Sequence, residues 1–208
     1  MNVEKKYCVA PWRGMHVNFN GQIKPCCAAN TATDTMFGSA EIIAVKKSIK
    51  QGKLHHKYCS GCINREEAGF DSERNWHNGI SPNFDFHSAD LHEHKPALVD
   101  IRWNNTCNLA CTYCGSYFSS RWASIVGKKR NQTINSQYKK IIDYISEHNS
   151  TVKEVALVGG EPLMMKENDK LIDILPDNVL ITVITNMISD FDQLTVPQKL
   201  LKRSRVGW

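Results

Sequence analysis

The sequence predicts an α/β fold in its second half, preceded by a small cysteine-rich α+β module. Three observations lead there. Short apolar runs alternate with helical patterns from about residue 96 onward, which implies parallel strand pairing with helices layered on the sheet. The eight cysteines fall into two sets, one in each half: Cys8, Cys26, Cys27, Cys59 and Cys62, then Cys107, Cys111 and Cys114. Between the sets runs a polar stretch, about 71–95, with Pro82, Pro96, His87, His92 and His94 in or beside it. This divides the chain into a module over 1–80, a linker over 81–95 and an α/β part over 96–208.

The elements follow in order. In the first half, Ser39 is placed to cap a helix whose Ile42, Val45 and Ile49 share one face, with Gly52 ending it. Residues 98–103 read as a strand, followed by the cysteine loop and a helix around 121–126. Tyr138, Ile141, Ile142 and Ile145 recur at i, i+3, i+4 and i+7, one face of a helix. Residues 154–158 form a short apolar strand, 169–175 a short helix, and 179–185 another strand. In parallel sheets the chemistry gathers at the C-terminal strand ends. Cys107 follows the first of these strands, Gly159 the second and Asn186 the third, so three candidate site elements fall on one edge.

Lys and Arg number 26 against 21 Asp and Glu, a net charge of +5. The basic residues are scattered and read as a solvated surface. A nucleic-acid-binding zinc module would need aromatics interleaved with basic residues on one face, and the sequence has no such pattern. No segment has the roughly 20 apolar residues that span a bilayer, and the first six residues lack the apolar core of a secretion signal. A cytoplasmic location is expected, and thiols stay reduced there. Eight cysteines then argue for metal or cluster binding rather than disulfides.

Cys107-Asn108-Leu109-Ala110-Cys111-Thr112-Tyr113-Cys114 is the most specific signal. Thiolates are the usual ligands of iron–sulfur clusters, and close spacing lets one loop wrap a cluster. Three ligands on a four-iron cube leave one iron open, as a catalytic metal requires. Zinc is the rival, but a structural zinc ion takes four ligands, and no nearby histidine or cysteine supplies a fourth. The spacing, with an aromatic residue just before the last cysteine, resembles the signature of the radical S-adenosylmethionine family. Val158-Gly159-Gly160-Glu161-Pro162-Leu163 resembles that family's glycine-rich segment, and the likeness extends over Cys114-Gly115-Ser116-Tyr117-Phe118-Ser119-Ser120-Arg121-Trp122.

The resemblance implies a partial (βα) barrel and a 4Fe–4S cluster on Cys107, Cys111 and Cys114. It also implies S-adenosylmethionine held near Gly159, Gly160, Glu161 and Asn186, with Glu161 offering charge to the cofactor's ammonium. The expected activity is reductive cleavage of that cofactor to a deoxyadenosyl radical that modifies a substrate. Asn186 also reads as a strand-end turn cap. No further residue is assigned as a catalytic acid or base.

The first set has the order Cys8, Gly21, Cys26, then Cys59-Ser60-Gly61-Cys62. It resembles the auxiliary-cluster modules, called Twitch or SPASM, of many such enzymes. That implies a second 4Fe–4S cluster on Cys8, Cys26, Cys59 and Cys62, with Cys27 a substitute for Cys26. A four-cysteine zinc site uses the same ligands. Asn20-Gly21 fits a hairpin turn delivering Cys26. Residues 67–78 resemble a further part of such modules without an evident role, and His92-Glu93-His94 reads as solvated linker.

The module here precedes the α/β part, and that part supplies about half of the family's strand–helix units. The resemblance therefore implies a C-terminally truncated or split protein, with a second chain completing the barrel. An electron donor and a peptide or protein substrate are the remaining expected partners. A truncated, non-catalytic protein that keeps clusters or zinc as staples is the alternative.

Overall fold

Residues 98–101 are apolar except for Asp100, and all four are buried, as a strand covered on both faces requires. The computed structural model describes residues 6–29, 39–131, 133 and 135–208. The first five residues, part of the stretch examined for a secretion signal, lie outside them.

The chain runs α1 (Ala10–Arg13), β1 (Gly14–Val17), β2 (Ile23–Lys24), α2 (Ala40–Lys50), α3 (His56–Glu67), α4 (Glu73–Ile80), β3 (Leu98–Ile101), α5 (Ser120–Ile125), α6 (Asn135–Glu147), β4 (Glu154–Leu157), α7 (Glu167–Ile174), β5 (Leu180–Val183), α8 (Thr195–Leu200) and β6 (Val206–Gly207). The fold is α/β: β2 neighbours β1 in the first half of the chain, and β3, β4, β5 and β6 follow one another in that order in the sheet of the second. β4 pairs in parallel with β5, Glu154 opposite Leu180 and Leu157 opposite Val183, and β5 pairs in parallel with β6.

Two compact units make up the chain. One comprises Met1–His16 and Gln22–Leu98, the other Val17–Gly21 and Val99–Trp208. In the second unit, Val158 N–H donates to Ile101 O at 3.0 Å and Ile184 N–H to Leu157 O at 3.0 Å. β3, β4 and β5 therefore end side by side, and their exit loops share one edge. Ile141, Ile142 and Ile145 of α6 are buried as their spacing predicts, and α7 packs against both α6 and α8. The Trp103 indole donates to Asn168 Oδ1 at 2.8 Å and lies edge-on to Tyr138 at 4.9 Å.

In the first unit α2 begins where the cap residue predicts, with Ser39 Oγ accepting from Ile42 N–H at 3.3 Å. Ile42, Val45 and Ile49 are buried. The core gathers Cys8, Ala10, Trp12, Val45, Ile49 and Tyr58. The stretch 81–95, expected as a linker, belongs to this unit. Its Phe84, Phe86, Ala89 and Leu91 pack on that core, and Trp12 Nε1 donates to Asp90 O at 2.8 Å. Lys46, fully buried, donates to Leu91 O and Glu93 O at 2.9 and 2.7 Å. Burial lowers its pKa to about 8. His94, read from sequence as solvated linker, is buried with Nε2 2.9 Å from Gly14 O.

Helices α3 and α4 were not expected, because neither carries an apolar stripe. Their buried faces reduce to Tyr58 and Cys62 in α3 and His77 in α4. Polar contacts join them instead. Glu66 accepts from Arg74 Nε at 2.7 Å and Nη2 at 2.9 Å, from Ser72 Oγ at 2.6 Å and from Lys6 Nζ at 3.0 Å. Such bidentate, charge-assisted bonds are the strong ones. Arg74 Nη1 and Asn78 Nδ2 both donate to Tyr7 O at 3.1 Å, while Asn78 Oδ1 accepts from Val9 N–H at 2.9 Å. Cys8 is thus pinned from both neighbours by the segment whose role was not evident from sequence.

The hydrogen bond from Arg74 is the main cause that holds the Glu66 carboxyl down at about 2, against an ordinary 4.5, with burial opposing it. A depressed folded pKa means stability present in full above pH 4.5 and lost as pH falls through about 2. Glu66→Gln should cost about 1–3 kcal/mol of unfolding free energy at neutral pH. Urea unfolding at a series of pH values should show this gap closing in acid; a gap that persists unchanged to pH 2 would refute the assignment.

Candidate functional site

The loop after β3 is held by its own polar residues. Cys107 N–H donates to Ser120 Oγ at 3.0 Å, Ser119 Oγ to Leu109 O at 2.8 Å, and Trp122 Nε1 to Cys111 O at 2.8 Å. Asn105 Nδ2 donates to Ser116 O at 3.1 Å, and Ser119 Oγ also caps α5. The run from Cys114 to Trp122 therefore works as the scaffold of the cysteine loop. Cys107, Cys111 and Cys114 are half-buried on it. Tyr113 is exposed, and its hydroxyl pKa is raised, chiefly by the neighbouring Cys111 side chain.

The loop after β4 packs directly on this one. A Cβ on Gly160 would lie 2.2 Å from Thr106 O, and one on Gly159, whose φ is +126°, would lie 3.0 Å from Asn104 O. Only glycine allows that approach, here to the chain's own backbone. Glu161 N–H donates to Thr106 O at 2.6 Å.

The Glu161 side chain is fully buried. Its Oε1 accepts from Leu163 N–H at 3.1 Å and Thr185 Oγ1 at 2.7 Å, and its Oε2 accepts from Asn186 N–H at 2.9 Å. Both oxygens thus hold the loops after β4 and β5 together. Asn186 in turn donates through Nδ2 to Asn108 Oδ1 at 2.8 Å, with Cys107 Sγ 3.9 Å away. Its Oδ1 accepts from Ile188 N–H at 2.9 Å, the turn cap, and Asn108 Nδ2 reaches Ile188 O at 2.7 Å. Cys107, Gly159, Gly160, Glu161 and Asn186 are therefore brought together, and Asn108, Ser119, Ser120 and Thr185 join them. Asn108 was legible only as a polar residue inside the cysteine loop; its partner lies 78 residues away.

The first unit carries the other cysteine set. Cys8 precedes α1, Cys26 follows β2, and Cys59 and Cys62 sit at i and i+3 of α3, on one helix face. The turn before β2 is closed by Gly21 N–H donating to Asn18 O at 2.8 Å. Cys8, Cys26, Cys59 and Cys62 line one cavity of ≈ 30 Å³ with Arg74 and His77, and its exposed walls are almost wholly apolar. Cys27 is not among its lining residues. Burial pushes the Cys8 thiol up to about 12 and Cys59 to about 11, and pushes Cys26 well above its usual range; the neighbouring thiols add to each.

Soft thiol donors suit iron–sulfur clusters or zinc, so both sets fit such a group by donor type. Among the described residues, no group of three or more His, Cys, Asp or Glu side chains stands in position to hold a single metal ion. No helix of the described residues is long and apolar enough to cross a membrane.

Glu161→Ala would leave three donors without their acceptor. It should lower the unfolding free energy by about 3 kcal/mol and speed amide exchange at Leu163 and Asn186. Unchanged protection at those two amides would show that the carboxylate does not hold the loops.

No curated protein and no solved structure gave a match. Residues 101–202, the stretch with the cysteine loop, Gly159-Gly160-Glu161 and Asn186, match the family model described as the Radical SAM superfamily.

Proposed function

We propose that the second unit binds a 4Fe–4S cluster through Cys107, Cys111 and Cys114 with S-adenosylmethionine beside it, and that the chain acts as a radical-forming enzyme. The observation that carries this is the junction of three strand-end loops, through Glu161 and Asn186, beside Cys107 and Asn108 of the cysteine loop. It lies inside the stretch matched to the family model. A cluster bound there would supply one electron to the cofactor's sulfonium, whose S–C5′ bond would break to give methionine and a deoxyadenosyl radical.

The chain's own residues have positioning roles. Ser119, Ser120 and Trp122 fix the backbone that presents the thiols. Asn186 lies beside Cys107 Sγ, where its amide can orient that ligand. Glu161 keeps the loops after β4 and β5 together, so their backbone can meet a ligand without rearranging. Its role in cofactor binding is thereby exerted through the loops.

The first unit is proposed to hold an auxiliary 4Fe–4S cluster on Cys8, Cys26, Cys59 and Cys62, supported by their shared cavity. An electron donor and a peptide or protein substrate complete the reading.

Anaerobic reconstitution with iron and sulfide should load close to two clusters per chain. Replacing Cys107, Cys111 and Cys114 with alanine should remove about half the iron. S-adenosylmethionine should alter the paramagnetic resonance spectrum of the reduced wild-type chain and leave that of the triple variant unaltered. Zinc alone in both proteins would refute both assignments, and a spectrum insensitive to the cofactor would refute its binding.

A further inference from the structure

We propose that Arg74 is a positioning residue of the first unit that sets the reduction potential of the cluster held by Cys8, Cys26, Cys59 and Cys62. The inference rests on the reading that a cluster is held there. Arg74 lines the four-cysteine cavity, and among its described lining residues it alone carries a permanent charge. Its side chain is 17% exposed. Three of its five N–H groups are engaged, by both Glu66 oxygens and by Tyr7 O next to Cys8. Two donors remain for sulfur.

The charge is held rigidly. Arginine's planar fork matches the Glu66 carboxylate in a way lysine cannot, and the Glu66 hydrogen bond raises the guanidinium pKa further. Lys6 also pairs with Glu66, so the ensemble of Lys6, Glu66 and Arg74 keeps a net positive charge.

A four-iron cluster with four thiolates is anionic, and reduction adds a further negative charge. Net charge, hydrogen bonds to sulfur and burial are what tune such clusters. A fixed cation at an apolar wall therefore stabilises the reduced form more than the oxidised one, because attraction grows as local polarity falls. Arg74 favours electron uptake, and Glu66 moderates it.

The test uses the full-length chain with Cys107, Cys111 and Cys114 changed to alanine, so that one cluster gives the signal. Its midpoint potential is measured by dithionite titration under paramagnetic resonance; the cluster takes one electron from dithionite and no bond forms or breaks. Arg74→Gln should disfavour reduction about tenfold, a shift of about 59 mV to lower potential for a one-electron couple. Arg74→Lys should shift it less in the same direction, and Glu66→Gln should shift it upward. Full iron content with an unchanged potential in Arg74→Gln overturns the proposal. Should that variant fail to fold, opposite shifts in Arg74→Lys and Glu66→Gln support it and no shift in either overturns it. A parent chain that takes up zinc and no iron overturns it together with the cluster reading, and the iron assay separates that outcome from failure of Arg74 alone.

Discussion

The Glu161 carboxylate is the joint on which the second unit's site depends. It is fully buried, and removing a carboxylate from water is tolerable only when its oxygens find donors. Those donors come from Leu163, Thr185 and Asn186. They can converge because β3, β4 and β5 end side by side, which places their exit loops along one edge. Close packing of Gly160 on Thr106 then sets the spacing between the first two loops. A ligand bound there would meet an edge already assembled, so less of its binding energy would be needed to order it.

The first unit relies on a different balance. Its core mixes thiols and aromatics with aliphatic side chains such as Val45 and Ile49, and the buried face of α3 is little more than Tyr58 and Cys62. Polar clamps carry part of the work that a larger apolar core would do. Glu66 and Arg74 join α3 to α4 and to the backbone on either side of Cys8. Lys46 and Lys50 of α2 hold the covering segment through Leu91 O, Glu93 O and Ala89 O. Burial holds the pKa values of these thiols above the usual range.

Strand ends explain why the two units were unequally legible. In the second unit, β4 and β5 and the helix with Ile141, Ile142 and Ile145 follow from period and composition, because apolar burial dominates each. The match over residues 101–202 agrees with the family likeness of the cysteine loop. The roles of Glu161 and Asn108 were hidden. A carboxylate in a glycine turn reads as a ligand contact, yet this one bonds residues 24 and 25 positions away. Helices α3 and α4 and the packing of residues 84–91 were missed because charge pairs and scattered aromatics, with no periodic apolar face, hold them.

By itself the sequence determined the α/β pattern, the two cysteine sets and the placement of Cys107, Gly159 and Asn186 after successive strands, since all of these are local features of spacing and hydrophobic period. Tertiary structure decided what those residues touch. It brought Cys26 rather than Cys27 to the cavity, gave Arg74 a place on its wall and turned the Glu161 carboxylate inward. Such choices depend on which distant donors meet a buried polar group, and long-range packing alone brings those donors within reach.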